Sequence, residues 1–314
     1  MLFSVIIPLF NKENEIKETL NSVFGQTYKD FEVIVIDDGS TDSGLSLVKA
    51  LDFHSLRVFS QANAGVSAAR NKGISEAKGD FCVFLDGDDI LLPEHLANLS
   101  ELIIQCPDDV FYSTAHLLKE NNILYPTTEI KINAVIQGRV RSPFQEFYKG
   151  LALVNSSTAC IRRKTLIDFN FRFPEGFSRG EDLFLWISLI SRFGIVHTNI
   201  PTVVINRDAL SRSAHRELNV VPAHFFYLGD LIDDPHLNRV DKYWLRKFFY
   251  KSARNTILFS RVVGARFIES ELIKIFKKNH WHQEYWIFCF LKILPNVFFR
   301  FSYGIFYRFR GCLK

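Results

Sequence analysis

Short apolar runs alternate with stretches of helical periodicity over the first 115 residues, and this alternation constrains the fold more than any other feature of the chain. Phe3–Pro8, Phe31–Ile36, Leu56–Ser60, Phe81–Leu85 and Val110–Ala115 read as strands. Between them, Glu13–Phe24, Thr41–Leu51, Gly65–Ala77 and Pro93–Cys106 read as helices, the first with Ile16, Leu20, Val23 and Phe24 on one stripe. Strands and helices in strict alternation predict a doubly wound, mainly parallel sheet. In such sheets ligands sit beyond the carboxyl ends of the strands. Two of these ends are acidic: Phe31–Ile36 runs into Asp37-Asp38-Gly39-Ser40, and Phe81–Leu85 into Asp86-Gly87-Asp88-Asp89.

The remainder is less regular. Residues 120–155 read as a mixed insertion on the acceptor side, Asn155–Ile161 as a strand, and Gly180–Phe193 as a helix with Leu183, Trp186, Ile187 and Ile190 on one side. Gly194–Ile205 gives two short apolar segments around Pro201, and from about Val240 the pattern is helical. Charge marks the same division. Residues 239–314 carry 16 Lys+Arg against 4 Asp+Glu, whereas residues 1–238 carry 22 against 30. The expected organisation is therefore a domain over 1–238 and a basic, aromatic-rich helical region over 239–314.

Four constellations carry chemistry. Asp86 and Asp88 offer the oxygen ligands that hard cations take; an Asp-rich turn that caps a helix is the alternative. Asp37 and Asp38 can accept hydrogen bonds from a base or a ribose, with Ser40 or Thr41 also capping the next helix. Asn63-Ala64-Gly65 opens a helix whose N-terminus attracts phosphate, and Arg70 within it can reach a phosphate or hold Asp86; tight helix–sheet packing by its alanines is the competing account. Glu181-Asp182 stands at a helix start, where acids cap favourably and where Asp182 is also a candidate general base.

In this order the blocks resemble family 2 glycosyltransferases, inverting enzymes of the GT-A fold that use nucleotide sugars. The resemblance rests on Ser4-Val5-Ile6-Ile7-Pro8-Leu9-Phe10-Asn11, Gln26-Thr27-Tyr28, Val35-Ile36-Asp37-Asp38-Gly39-Ser40-Thr41-Asp42, Asn63-Ala64-Gly65 through Gly73, Asp86-Gly87-Asp88-Asp89 and Glu181-Asp182. It covers roughly residues 2–215. It implies a GT-A (Rossmann-like) α/β fold, a mainly parallel sheet flanked by helices, with a C-terminal helical extension. It also implies a divalent metal, Mn²⁺ or Mg²⁺. Pro8 and Phe10 then line the base pocket, with Asp37 on the nucleobase and Asp38, Asn63, Gly65 and Arg70 around the nucleotide. Asp86 contacts the ribose or donor sugar, Asp88 ligates the metal with Asp86, and Asp182 is the base beside Glu181. Near the diphosphate, Arg207, Ser211, Arg212, Ser213 and His215 are candidates.

The implied activity is transfer of a sugar from a nucleoside-diphosphate sugar, with UDP favoured within the family. The acceptor is a hydroxyl of a saccharide or lipid-linked saccharide, in synthesis of a bacterial surface polysaccharide such as O-antigen, capsule or exopolysaccharide. A non-catalytic nucleotide-sugar-binding scaffold of the same fold is the competing reading; retention of Asp88 and Asp182 speaks against it. A sugar-nucleotide pyrophosphorylase is disfavoured because no Gly-rich, Lys-bearing loop follows Phe3–Pro8.

The five cysteines are scattered without a CxxC, which points to free thiols in a reducing compartment. Met1-Leu2-Phe3-Ser4 enters a strand without a basic leader, so the expectation is a cytoplasmic protein, peripheral on the inner face of the membrane. Residues 281–310 hold 12 aromatics interrupted by Lys292, Arg300, Arg308 and Arg310, with no uncharged run of the ~20 residues that a spanning helix needs. That pattern suits an interfacial segment on anionic lipid, so residues 281–314 are the expected membrane contact; the alternative is a helical pair packed on the body. Nucleic acid is not an expected partner.

Overall fold

The structure, a computed structural model, describes residues 1–51, 53–127, 137–209, 220–262, 265–279 and 281. The strands are β1 (Phe3–Leu9), β2 (Phe31–Asp37), β3 (Leu56–Ser60), β4 (Phe81–Phe84), β5 (Ile90–Leu91), β6 (Phe111–Glu120), β7 (Ile123–Pro126), β8 (Gln137–Arg139), β9 (Ala159–Arg162) and β10 (Val196–Asn206). The helices are α1 (Ile16–Phe24), α2 (Gly44–Lys49), α3 (Val66–Glu76), α4 (His95–Gln105), α5 (Pro143–Lys149), α6 (Arg163–Asp168), α7 (Glu181–Phe193), α8 (Ala223–Phe226), α9 (Leu228–Ile232), α10 (Arg239–Val262) and α11 (Arg266–Lys278).

All the strands belong to one mixed sheet of order β3-β2-β1-β4-β9-β6-β10-β5, with β7 beside β6 and β8 beside β10. The parallel order expected from the alternation is its first half, β3-β2-β1-β4. The second half departs from it: β9 enters antiparallel between β4 and β6, while β10 runs parallel to β6. Strand β9 is also shorter than the strand expected over 155–161. Asn155 Oδ1 accepts the Thr158 N–H (3.2 Å) and Thr158 Oγ1 accepts the Asn155 N–H (3.0 Å), so Ser156–Thr158 closes into a 3₁₀ turn instead. The two segments expected around Pro201 are one strand, β10, whose register against β6 slips on either side of that proline. A ring without an N–H is tolerated where the ladder is already interrupted.

Period-two alternation sends the central strands to two cores. Ile6, Ile34, Cys82 and Phe84 face one side, under α3, α7 and the C-terminal helices. Val5, Ile7, Val33, Val35 and Val83 face the other, under α1, α2 and α4. The first core extends into the basic region: Leu245, Phe249, Ala253 and Ile257 of α10 and Leu272 and Phe276 of α11 are buried with Leu185 and Trp186 of α7. Trp281, first of the tail aromatics, is buried too, against Phe249, Phe276 and the Arg246 guanidinium. The other tail aromatics, with residues 282–314 as a whole, lie outside the described residues. No described helix is long and apolar enough to cross a membrane.

Candidate active site

The carboxyl ends of β1, β2 and β4 open on a cleft of ≈ 640 Å³. The loops after β1 and β2 clasp each other at its edge. Asn11 Oδ1 accepts the Thr41 N–H (2.8 Å), Asp42 Oδ2 accepts the Glu13 N–H (2.8 Å), and Glu13 Oε2 accepts the Ser43 N–H (3.0 Å). Pro8, Phe10 and Lys12 line the cleft from this clasp.

Asp38 lines it as well, but its carboxylate is committed to the chain. It accepts from Gln61 Nε2 (2.8 Å) and from the N–H groups of Ala64 (2.9 Å) and Gly65 (2.8 Å). Asp38 thus shapes the turn that carries Asn63 and Gly65 to the cleft wall ahead of α3. Asp37 is buried just behind, with Oδ1 accepting the Ser40 N–H (3.1 Å), and is not among the lining residues.

At the end of β4 the acids divide. At Gly87 the chain passes close to the end of β1: a Cβ there would stand 3.1 Å from the Pro8 carbonyl oxygen. Asp88 is met by Lys12 Nζ at 2.5 Å. Asp89 turns inward, its Oδ2 accepting from Ser157 Oγ (2.5 Å) and its Oδ1 from the Asn206 N–H (3.0 Å). Burial, then the charges of Asp86 and Asp88, push its pKa well above the usual carboxylate range. Ser157 in turn accepts the Asp86 N–H (3.1 Å), so the 3₁₀ turn fixes both ends of the acidic loop.

Arg70 of α3 is the hub. Its Nη2 lies 2.7 Å from Asp86 Oδ1 and its Nη1 3.2 Å from Glu181 Oε1, with the guanidinium 5.1 Å over the Phe173 ring. Of the two roles the sequence left open for it, holding Asp86 is the one the geometry displays. Burial works against its charge, but Asp86, Glu181 and Asp182 outweigh that and raise its pKa further.

Glu181 and Asp182 begin α7. Gly180, at φ 72°, allows the helix to start directly above His224 of α8; a Cβ at 180 would lie 2.5 Å from His224 Nδ1. His224 is held near pKa 3 by burial and stays neutral. Glu181 is buried; that burial, then the charge of Asp182, lifts its pKa to about 7 against the pull of Arg70. Asp182 faces the cleft, with Oδ1 accepting the Leu183 N–H (2.7 Å) and Ser156 Oγ at 3.5 Å from Oδ2. Burial raises its pKa too, opposed chiefly by Arg70.

Ten of the sequence candidates therefore share one cleft: Pro8, Phe10, Asp38, Asn63, Gly65, Arg70, Asp86, Asp88, Glu181 and Asp182. Arg207 joins them from the end of β10; Ser211, Arg212, Ser213 and His215 lie outside the described residues. Sequence reading missed Lys12, Ser156, Ser157, His116 and Asn155. Nothing local marks Lys12 among 38 basic residues; His116 lies within β6, and Asn155, Ser156 and Ser157 fall in a segment whose pattern reads as a strand, so only the tertiary structure turns them to the site. Two carboxylates in the cleft are of the oxygen-ligand type that a divalent cation takes. Asp86 and Asp88 present them, and Asp88 already holds a positive charge, the Lys12 ammonium. Among the described residues no group of three or more His, Cys, Asp or Glu encloses a metal position, so an ion here would draw its remaining oxygens from a ligand or water.

Known proteins share this framework. The model of glycosyl transferase family 2 matches residues 4–169, a span that ends before Glu181. An uncharacterized glycosyltransferase of Rickettsia felis is 29% identical over 310 residues, covering 93% of this chain and 46% of that protein. The chain thus spans about half the length of that relative. The UDP-Glc:alpha-D-GlcNAc-diphosphoundecaprenol beta-1,3-glucosyltransferase WfgD of Escherichia coli is 30% identical over 246 residues, 74% of this chain and 88% of that one. Among solved structures, S. aureus TarS 1–349 in complex with UDP-GlcNAc superposes with a TM-score of 0.72 at 23% identity, over 88% of this chain and 81% of that chain, which establishes a common GT-A fold. With more than half of its residues inside the family match, including both acidic strand ends, the chain belongs to glycosyl transferase family 2.

Proposed function

We propose that the protein is an inverting glycosyltransferase that moves a hexosyl or N-acetylhexosaminyl unit from a nucleoside-diphosphate sugar to a hydroxyl of a saccharide or lipid-linked saccharide. The observation that carries this reading is the arrangement of Asp182 and Asp86 in one cleft, tied through Arg70 and Glu181. A UDP-sugar is the favoured donor, since WfgD is named for UDP-Glc and the TarS structure holds UDP-GlcNAc. WfgD is also named for a diphosphoundecaprenol-linked acceptor, which supports a lipid-linked acceptor and a role in bacterial surface polysaccharide. On this reading residues 1–238 form the transferase domain, and residues 239–314 the helical extension whose end contacts the cytoplasmic face of an anionic membrane.

The chemistry needs a base, a donor cradle and a way to bear leaving-group charge. Asp182, ionised, takes the proton of the acceptor hydroxyl as that oxygen forms its bond to the anomeric carbon. The bond from that carbon to the diphosphate oxygen breaks in the same displacement, so configuration inverts and no enzyme nucleophile is required. Asp38 and the turn at 61–65 shape the nucleotide wall, and Arg70 fixes Asp86 at the sugar end. A divalent ion bound by Asp88 with Asp86 would supply neutralisation of the diphosphate.

Titration of UDP, GDP and TDP into the protein with and without Mn²⁺, followed by transfer assays with the matching nucleotide sugars, tests the proposal. Metal-dependent binding of one nucleotide and a product of inverted configuration are expected. Absence of binding to all three would favour the scaffold reading.

A further inference from the structure

Phe173 belongs to the loop between α6 and α7, and its buried ring lies where three parts of the cleft wall meet. The Phe84 ring at the end of β4 stands edge-on to it at 5.2 Å, and the Trp186 ring of α7 edge-on at 5.5 Å. The Arg70 guanidinium of α3 rests over it at 5.1 Å. Phe84 is two residues before Asp86, and Trp186 follows Asp182 by one helical turn. The backbone of Phe173 is fixed from α3 as well. Asn71 Oδ1 accepts the Phe173 N–H (2.9 Å), and Asn71 Nδ2 donates to the Phe173 carbonyl oxygen (2.9 Å) and to Glu175 Oε1 (2.9 Å). Consecutive residues of one helix therefore supply the guanidinium and hold the ring beneath it.

A buried phenylalanine that only fills volume could be exchanged for leucine with little effect on a site. The hydrogen bonding of Arg70 sets Phe173 apart. Nη2 and Nη1 meet Asp86 and Glu181, but the buried Nε meets no acceptor among the described residues. A planar guanidinium held along that one edge can still tilt about the line joining its two contacts. The ring face beneath it removes this freedom. We propose that Phe173, anchored by Asn71, is a positioning residue: its ring sets the plane of Arg70, and through Arg70 the placement of Asp86 at the sugar end of the donor, a role that rests on the proposed nucleotide-sugar site. Loss of the ring would let the guanidinium tilt and Asp86 drift, while the turn at 61–65, which shapes the nucleotide wall, keeps its own hydrogen bonds to Asp38.

The test is a double-mutant cycle of Phe173→Leu and Arg70→Met in the full chain, read by urea unfolding and by calorimetry. Calorimetry compares UDP-Glc, UDP-GlcNAc, GDP-Man and TDP-Glc with their bare nucleotides in the presence of Mn²⁺. Phe173→Leu is expected to weaken the sugar nucleotide that the wild type binds by about five- to tenfold, and its bare nucleotide by less than about twofold. Adding Phe173→Leu to Arg70→Met is expected to change the sugar nucleotide by less than about twofold further, because the ring acts through the guanidinium. In urea the double variant is expected to lose less than the sum of the two single losses. Asn71→Ala is expected to weaken the sugar nucleotide selectively too, and replaces the leucine variant if that protein does not fold. Equal weakening of sugar nucleotide and bare nucleotide, no weakening of either, or additive losses in the cycle would each reduce Phe173 to packing and overturn the proposal. A wild type that binds none of the nucleotides refutes the nucleotide-sugar reading and this role with it, whereas wild-type binding with an unselective Phe173→Leu refutes the role alone.

Discussion

Arg70 Nη1 lies 3.2 Å from Glu181 Oε1, although 111 residues of chain separate them. The same guanidinium holds Asp86 at 2.7 Å. One buried cation thus fixes the distance between the acidic end of β4 and the acidic start of α7, which the proposed function assigns to the donor and to the base.

Replacing Arg70 by methionine would strand Glu181 inside the protein without its counter-charge and release Asp86. Loss of one partner from a buried ion pair costs about 3 kcal/mol or more, so urea unfolding of Arg70→Met at pH 7 is expected to show a matching fall in stability. A loss below about 1 kcal/mol would mean that the pair contributes little beyond a surface contact.

The same substitution should move the pH profile. Arg70 opposes the rise in the Asp182 pKa that burial causes, so its removal raises that pKa further. The acid limb of kcat/KM, where Asp182 takes up a proton and ceases to be a base, is expected to shift to higher pH in Arg70→Met and to stay near the wild-type position in Arg70→Lys. Coincident limbs in all three proteins would separate Arg70 from the base.

Glu181 gives a stability signature of its own. Folding lifts its pKa from the ordinary 4.5 to about 7, so the folded state holds the proton more tightly than the unfolded chain. This stabilising contribution is complete below pH 4.5 and is lost as the pH rises towards 7. Wild type should therefore lose stability relative to Glu181→Gln across that window, by roughly 1–3 kcal/mol. Denaturant midpoints of the two proteins measured at several pH values check this, and a constant difference would place the Glu181 pKa outside the window.

Asp182→Asn keeps shape and removes the proposed base. Sugar transfer is expected to fall by about 10²–10⁴-fold, with UDP affinity within about threefold of wild type because no donor contact is lost. Calorimetry and a product assay on one preparation separate the two effects; near-normal turnover would remove Asp182 from its role.

Asp38→Ala tests the turn ahead of α3. Three donors, Gln61 Nε2 and the N–H groups of Ala64 and Gly65, lose their acceptor. The expected result is about 2–3 kcal/mol lower stability together with weaker nucleotide binding. Full nucleotide affinity in the variant would show that the turn holds its shape without Asp38.

Much of the architecture is local information. Apolar runs in Phe31–Asp37 and Phe81–Phe84, and the stripes of α1 and α7, are set by neighbours within a few residues, so the parallel half of the sheet, both acidic strand ends and the Glu181-Asp182 helix start were legible in the chain. Other relationships are decided by distant pairing. Strand β9 lies antiparallel between β4 and β6 because its neighbours come from Phe81–Val83 and Phe111–Ser113, which no local pattern encodes. Pro201 sits inside one strand because β6 accommodates a slip in register there. The division of labour among the acids is of the same kind: Asp88 meets Lys12 across 76 residues, Asp89 meets Ser157 across 68, and Glu181 meets Arg70 across 111. Sequence determines which residues can carry charge at a strand end, because that depends on side-chain chemistry and local periodicity; which of those charges is buried, paired or presented to the cleft is decided only when chain closure brings its partner within a few ångströms.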